Sequence, residues 1–105
     1  MERTYYVYII TNTYNTVFYI GVTNDIIRRT IEHRTGIIVG FSKRYKLHKL
    51  VFYEVTGDIS YALAREKQLK NWRRKWKLDL IRTINPSLKD LIDDLFDKDA
   101  ESSSA

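Results

Sequence analysis

Two runs of β-forming residues constrain this chain most: "YYVYIIT", Tyr5 to Thr11, and "VFYIGV", Val17 to Val22. Tyr, Val and Ile suit a pleated, half-buried surface. Between the runs lies "NTYNT", which is turn chemistry, so the pair reads as a hairpin with a loop of about five residues. A third run, "KLVFYEVT" (Lys49 to Thr56), supplies another strand. Period-two alternation groups Tyr6, Tyr8 and Ile10 on one face, and Val17, Tyr19 and Gly21 on one face of the second strand. Pairing in register sets Tyr8 beside Tyr19. Gly21, with no side chain, allows close approach of a ligand or another backbone.

Helices occupy the segments between and after the strands. Asn24 or Thr23 caps a helix over Asp25 to Arg34, with Asp25 suited to its first turn. On it Arg29 and His33 share a face, Ile27 and Ile31 share another that suits the core, and Arg28 and Glu32 pair outside. "TGIIVGFSKRYKLH" reads as irregular. Asp58 or Ser60 caps a long helix through "YALAREKQLKNWRRKWKL". A further helix, "LDLIRTI", stops at Asn85-Pro86, and a short one follows in "SLKDLIDDLF". The order is β-β-α-β-α-α: an α+β fold, a small three-stranded antiparallel sheet flanked by helices.

The long helix holds the most pointed ambiguity. Glu66 falls at the edge of the buried stripe. It either pairs with Arg65, Lys70 or Arg73, or faces a cleft and holds a cation. Trp72 and Trp76 read as core, although "WRRKWK" also offers a basic edge to a nucleic-acid backbone. His48 reads as structural.

At 105 residues the chain is one domain by length, with 44% apolar and 30% charged residues. No apolar run approaches the roughly 20 residues a membrane helix needs, and no signal-peptide pattern opens the chain. The absence of cysteine removes disulfides and thiolate metal sites and fits a cytoplasmic setting. Charge is divided unevenly. Residues 90–105 hold six carboxylates against Lys98, a net −5, which leaves +10 on residues 1–89 of a chain at +5 overall. Such a basic body attracts polyanions, nucleic acid above all. The expected division is a domain over residues 1–91 and a solvated or frayed acidic tail over residues 92–105.

Taken in order, "YVYIIT", "FYIGVTNDIIRR", the helical "EHR", "GFSKRYKLHKLVFYE", "AREKQLKNW" and "INPSLKDL" resemble the GIY-YIG nuclease superfamily. The resemblance covers roughly residues 4–91 and is nearest to small stand-alone bacterial members, similar to the N-terminal catalytic domain of the excision-repair nuclease subunit. It implies that the first family tyrosine is Tyr8, within "Tyr6-Val7-Tyr8" where the family reads "GIY", and that the second is Tyr19 in an intact "YIG". The family arginine falls on Arg29, the helical tyrosine or histidine on His33, the metal-binding glutamate on Glu66, and a late asparagine on Asn85. A lysine that some repair nucleases carry after "YIG" is missing, which leaves Lys43 or Arg44 as substitutes.

The resemblance implies one Mg²⁺ or Mn²⁺ ion on Glu66, no organic cofactor, and DNA as the partner. Phosphodiester hydrolysis needs an activated water and stabilisation of phosphoryl charge. Arg29 offers a permanently charged fork that matches a phosphate. Tyr19 or Tyr8 accepts the water's proton, for which an ordinary tyrosine pKa of about 10 must be lowered by nearby cations. His33 positions water or shuttles a proton. Lys43, Arg44, Lys70, Arg73 and Asn85 contact nucleic acid. The expected function is a metal-dependent DNA endonuclease in repair or processing. Its rivals are a catalytically weak nucleic-acid-binding module using the same basic cleft, and a structural protein whose basic face serves a protein partner.

Overall fold

A computed structural model of the chain describes residues 3–36 and 44–103. Its elements are β1 (Tyr5–Thr11), β2 (Phe18–Thr23), α1 (Ile26–Thr35), β3 (Lys49–Thr56), α2 (Ile59–Asn71), α3 (Arg74–Ile84) and α4 (Ile92–Ser103). The strands form one antiparallel sheet in the order β2-β1-β3, the expected α+β architecture. The hairpin turn is held by Asn12, whose Oδ1 accepts from the backbone N–H groups of Thr16 and Val17.

Because β1 is central, both sheet faces are covered. On one, Val7, Ile9, Ile20 and Phe52 meet Ala62 and Leu69 of α2 and Ile81 of α3. On the other, Tyr8, Ile10 and Leu50 meet Ile26 of α1 and Leu91 and Leu95 at the start of α4. Alternation along β1 thus sends successive residues into two separate cores.

Four local expectations are corrected. The cap of α1 is Asp25, not Asn24 or Thr23: its carboxylate accepts from the Arg28 N–H, and the Thr23 hydroxyl accepts from Asp25's own N–H. The buried stripe of α1 is Ile26, Thr30 and His33, whereas Ile27 is half-buried and Ile31 is 40% exposed. Two of those inward residues are polar but satisfied, since Thr30 Oγ1 donates to the Ile26 carbonyl one turn back and His33 bonds to Tyr8. The break after the long helix comes earlier than expected, at Trp72 and not at Leu78, so that "LDLIRTI" is the second part of α3. Asp58 caps α2, accepting from the N–H groups of Ser60 and Tyr61, but Trp72 and Arg73 are extended and turn the chain into α3. That elbow lets Leu69 and Ile81 reach the same core.

The fourth concerns the acidic end. The expected short helix in "SLKDLIDDLF" starts later, at Ile92, and as α4 runs on through the segment expected as a solvated or frayed tail. Ile92 is buried, and Leu91 and Leu95, one turn apart, lie in the core beside Tyr8 and Ile26. Half of the segment read as irregular, residues 37–43, lies outside the described residues.

Candidate functional site

The site is built around Tyr8. The register places Tyr8 opposite Gly21, and Tyr19 two pairs further along opposite Ile10. Tyr8 and Tyr19 are therefore diagonal neighbours on one face, with ring centroids 6.2 Å apart. Gly21 is what admits the Tyr8 ring: a Cβ on it would stand 2.5 Å from the Tyr8 hydroxyl oxygen and 2.6 Å from Cζ. The space expected to serve a ligand or backbone is filled by this ring.

From α1, His33 closes the cluster. Its Nε2 lies 3.0 Å from the Tyr8 hydroxyl, in a buried hydrogen bond. Its ring is 4.9 Å from that of Tyr19 and 5.8 Å from that of Tyr8. Arg29, one turn earlier, keeps 37% of its side chain exposed and meets Glu32 at 3.6 Å. Glu32, expected to pair with Arg28, pairs with Arg29 instead, and Arg28 lies beside Asp25. The i,i+3 spacing of Arg29 and Glu32 was the available signal.

Electrostatics make the Tyr8–His33 pair neutral. Burial raises the Tyr8 phenol far above its ordinary pKa, and Tyr19, Glu66 and Glu32 push the same way against an opposing Arg29. Burial, with help from Arg29, lowers His33 to about 4. At neutral pH Tyr8 is a protonated phenol and His33 an uncharged imidazole. At Tyr8 desolvation outweighs the neighbouring guanidinium, so burial works against the lowering that a proton-accepting role would need.

Glu66, on α2, lies within electrostatic reach of Tyr8. Its Oε2 is 3.6 Å from Lys70 Nζ on an exposed lysine. Of the three ion-pair partners expected for Glu66, only Lys70 is realised. Arg65 instead grips Glu54 through both nitrogens, at 2.8 Å from Nη2 and 3.1 Å from Nε. Among the described residues, no three His, Cys, Asp or Glu side chains converge as a metal cage. A cation at Glu66 would have one protein carboxylate and take its other ligands from water and substrate, a donor set that fits Mg²⁺ or Mn²⁺.

The expected nucleic-acid contacts separate. Lys43 lies outside the described residues. Arg44 stacks over Tyr45 and Arg73 over Trp76, both exposed. Asn85 is corrected. It is 2% exposed, its Nδ2 donates to the carbonyls of Val51 and Lys89, and its Oδ1 accepts from the Lys89 N–H. It ties the end of α3 to β3 and presents nothing to a ligand. Arg34, also not singled out, donates to Asp90 and to the His48 carbonyl. A cleft of about 330 Å³ opens beside His33, lined by Arg34, Lys46, Leu47 and His48.

A buried tyrosine–histidine pair, a second tyrosine, a half-exposed arginine and a carboxylate on the next helix define a class. Residues 4–79 match the GIY-YIG catalytic domain, and the chain belongs to that family, whose domain is of nuclease type. Within it the chain is similar to small stand-alone proteins of the UPF0213 group. One from Staphylococcus saprophyticus is 36% identical over 63 residues, 60% of this chain and 77% of that protein. Another, from Haloquadratum walsbyi, is 32% identical over 80 residues, 76% of this chain and 89% of that protein. The solution NMR structure of a UPF0213 protein from Bacillus halodurans matches with a TM-score of 0.52 at 25% identity, over 80% of this chain and 88% of that one.

Proposed function

We propose that this protein is an endonuclease that hydrolyses DNA phosphodiester bonds with one divalent metal ion, Mg²⁺ or Mn²⁺, in repair or processing of DNA. The observation that carries the reading is the single cluster of Tyr8, Tyr19, Arg29 and His33, with Glu66 in electrostatic reach of Tyr8. Glu66 would hold the ion, which supplies Lewis-acid stabilisation of phosphoryl charge. Arg29 presents its guanidinium to the non-bridging oxygens. Tyr19 or Tyr8 would take the proton of the attacking water, a role that burial opposes at Tyr8. His33, hydrogen-bonded to Tyr8 and packed against Tyr19, fixes both rings.

The test is incubation with supercoiled, branched and single-stranded DNA, with Mg²⁺ or Mn²⁺ and with chelator, for the natural chain and Glu66→Gln. Cleavage that needs the ion and disappears in Glu66→Gln is the expected result. The variant's stability should move by no more than about 1 kcal/mol, the most that its pairing with exposed Lys70 contributes. Retained cleavage in Glu66→Gln overturns the mechanism, and binding without cleavage under any condition favours the weak binding module.

A further inference from the structure

The elbow between α2 and α3 carries a second arrangement that the catalytic reading leaves unused. Within a short stretch, three guanidinium groups lie over aromatic rings: Arg65 over Trp72 at 5.4 Å, Arg73 over Trp76 at 5.6 Å, and Arg74 over Phe18 at 5.9 Å. Trp72 and Trp76 meet edge to face, with centroids 6.2 Å apart. Trp72 packs against the core, but Trp76 is 49% exposed, so the expectation that both are core holds for Trp72 alone.

A half-exposed indole has a cost in water. Here it is fixed in place by Trp72 and Arg73. Of the three, Arg65 spends its donors on Glu54 and Gln68 and Arg74 gives one to the Asn15 carbonyl, whereas exposed Arg73, stacked on Trp76, offers its edge N–H groups to a phosphate. The surrounding surface adds Lys75 and Lys77, and α3 brings one carboxylate, Asp79, against four cations from Arg74 to Arg82. Cations alternating with a presented aromatic face are what a single-stranded nucleic acid engages, since only unpaired bases offer a π-face. A duplex hides those faces, and a protein partner would not call for this charge.

We infer that the α2–α3 elbow binds an unpaired strand of nucleic acid, with a base stacked on Trp76 and its phosphates on the flanking cations. This rests on the nucleic-acid reading of the site, though not on its catalysis. The elbow continues from the site through Lys70, which pairs with Glu66 one turn before Arg73. The substrate class follows: a nucleic acid with a single-stranded segment adjoining the bond to be cut.

The chain has two tryptophans, so Trp72→Phe leaves Trp76 as the only indole fluorophore. This protein is titrated, in chelator, with a single-stranded oligonucleotide and with the blunt duplex of the same sequence. Quenching by the single strand and little by the duplex is expected. Trp76→Ala, at an exposed position, should weaken single-strand binding roughly tenfold and leave the thermal midpoint unchanged. No quenching, equal quenching by both, or unchanged single-strand affinity in Trp76→Ala overturns the inference. Cleavage is assayed in parallel: quenching without cleavage sustains the elbow and defeats the nuclease reading, and cleavage without quenching does the reverse.

Discussion

Gly21 and Tyr8 occupy what is in effect one position. With a Cβ at Gly21 standing 2.5 Å from the Tyr8 hydroxyl oxygen, Gly21→Ala must push the ring aside. The expected result is a loss of about 1–3 kcal/mol, typical of overpacking, together with loss of the Tyr8–His33 bond and of cleavage. Urea midpoints and turnover on the same variant check both. His33 carries a second prediction. Its folded pKa is lowered from 6.5 to about 4, so the unfolded chain takes up the proton first as pH falls. Stability from this residue is complete above about pH 6.5 and is lost down to about pH 4, by roughly 3 kcal/mol. Melting temperatures across that window should fall steeply for the natural chain and less for His33→Asn. That these residues belong to one site was legible only through ordered motifs resembling a known family. The direction of the Tyr8 shift was not legible, because it depends on burial.

At the scale of elements, what periodicity exposes and what it hides both have physical causes. The strands could be read because their β-branched and aromatic runs are bounded by turn residues. The phase of α1 could not, because its inward face contains Thr30 and His33, whose polar groups find partners inside. The break at Trp72 is unmarked by glycine or proline, and the extended backbone there follows from packing of Leu69 and Ile81 into one core. Asn85 shows the converse: a residue resembling a functional one spends its amide on three backbone hydrogen bonds. Asn85→Ala leaves those backbone groups without partners and should cost about 2–4 kcal/mol. DNA affinity, measured at a temperature where the variant stays folded, should not change. Weakened binding by a folded variant would restore the nucleic-acid role.

For the whole molecule, charge is the deciding property. With +10 on residues 1–89, binding should be mainly electrostatic, and log affinity should fall linearly with log salt. The exposed Asp93, Asp94 and Asp97 of α4 oppose that attraction. Replacing all three by Asn should raise association rates at low salt, with the gain vanishing as the Debye length shrinks to about 3 Å near 1 M. Stopped-flow measurements over a salt series test this, and a gain that survives high salt would contradict it.

The sheet separates these charges as well as the two cores. The acidic α4 packs on the face that holds Tyr8, and the cation-rich α3 on the other. The field of a polyanion therefore exerts a torque on the protein as well as a pull. From about a Debye length away, some 10 Å at moderate salt, the molecule turns the elbow and α3 forward and the carboxylates of α4 back, with the site, which draws Glu66 from α2 and Tyr8 from the sheet, between the two. Its orientation on landing is biased before any side chain touches the strand.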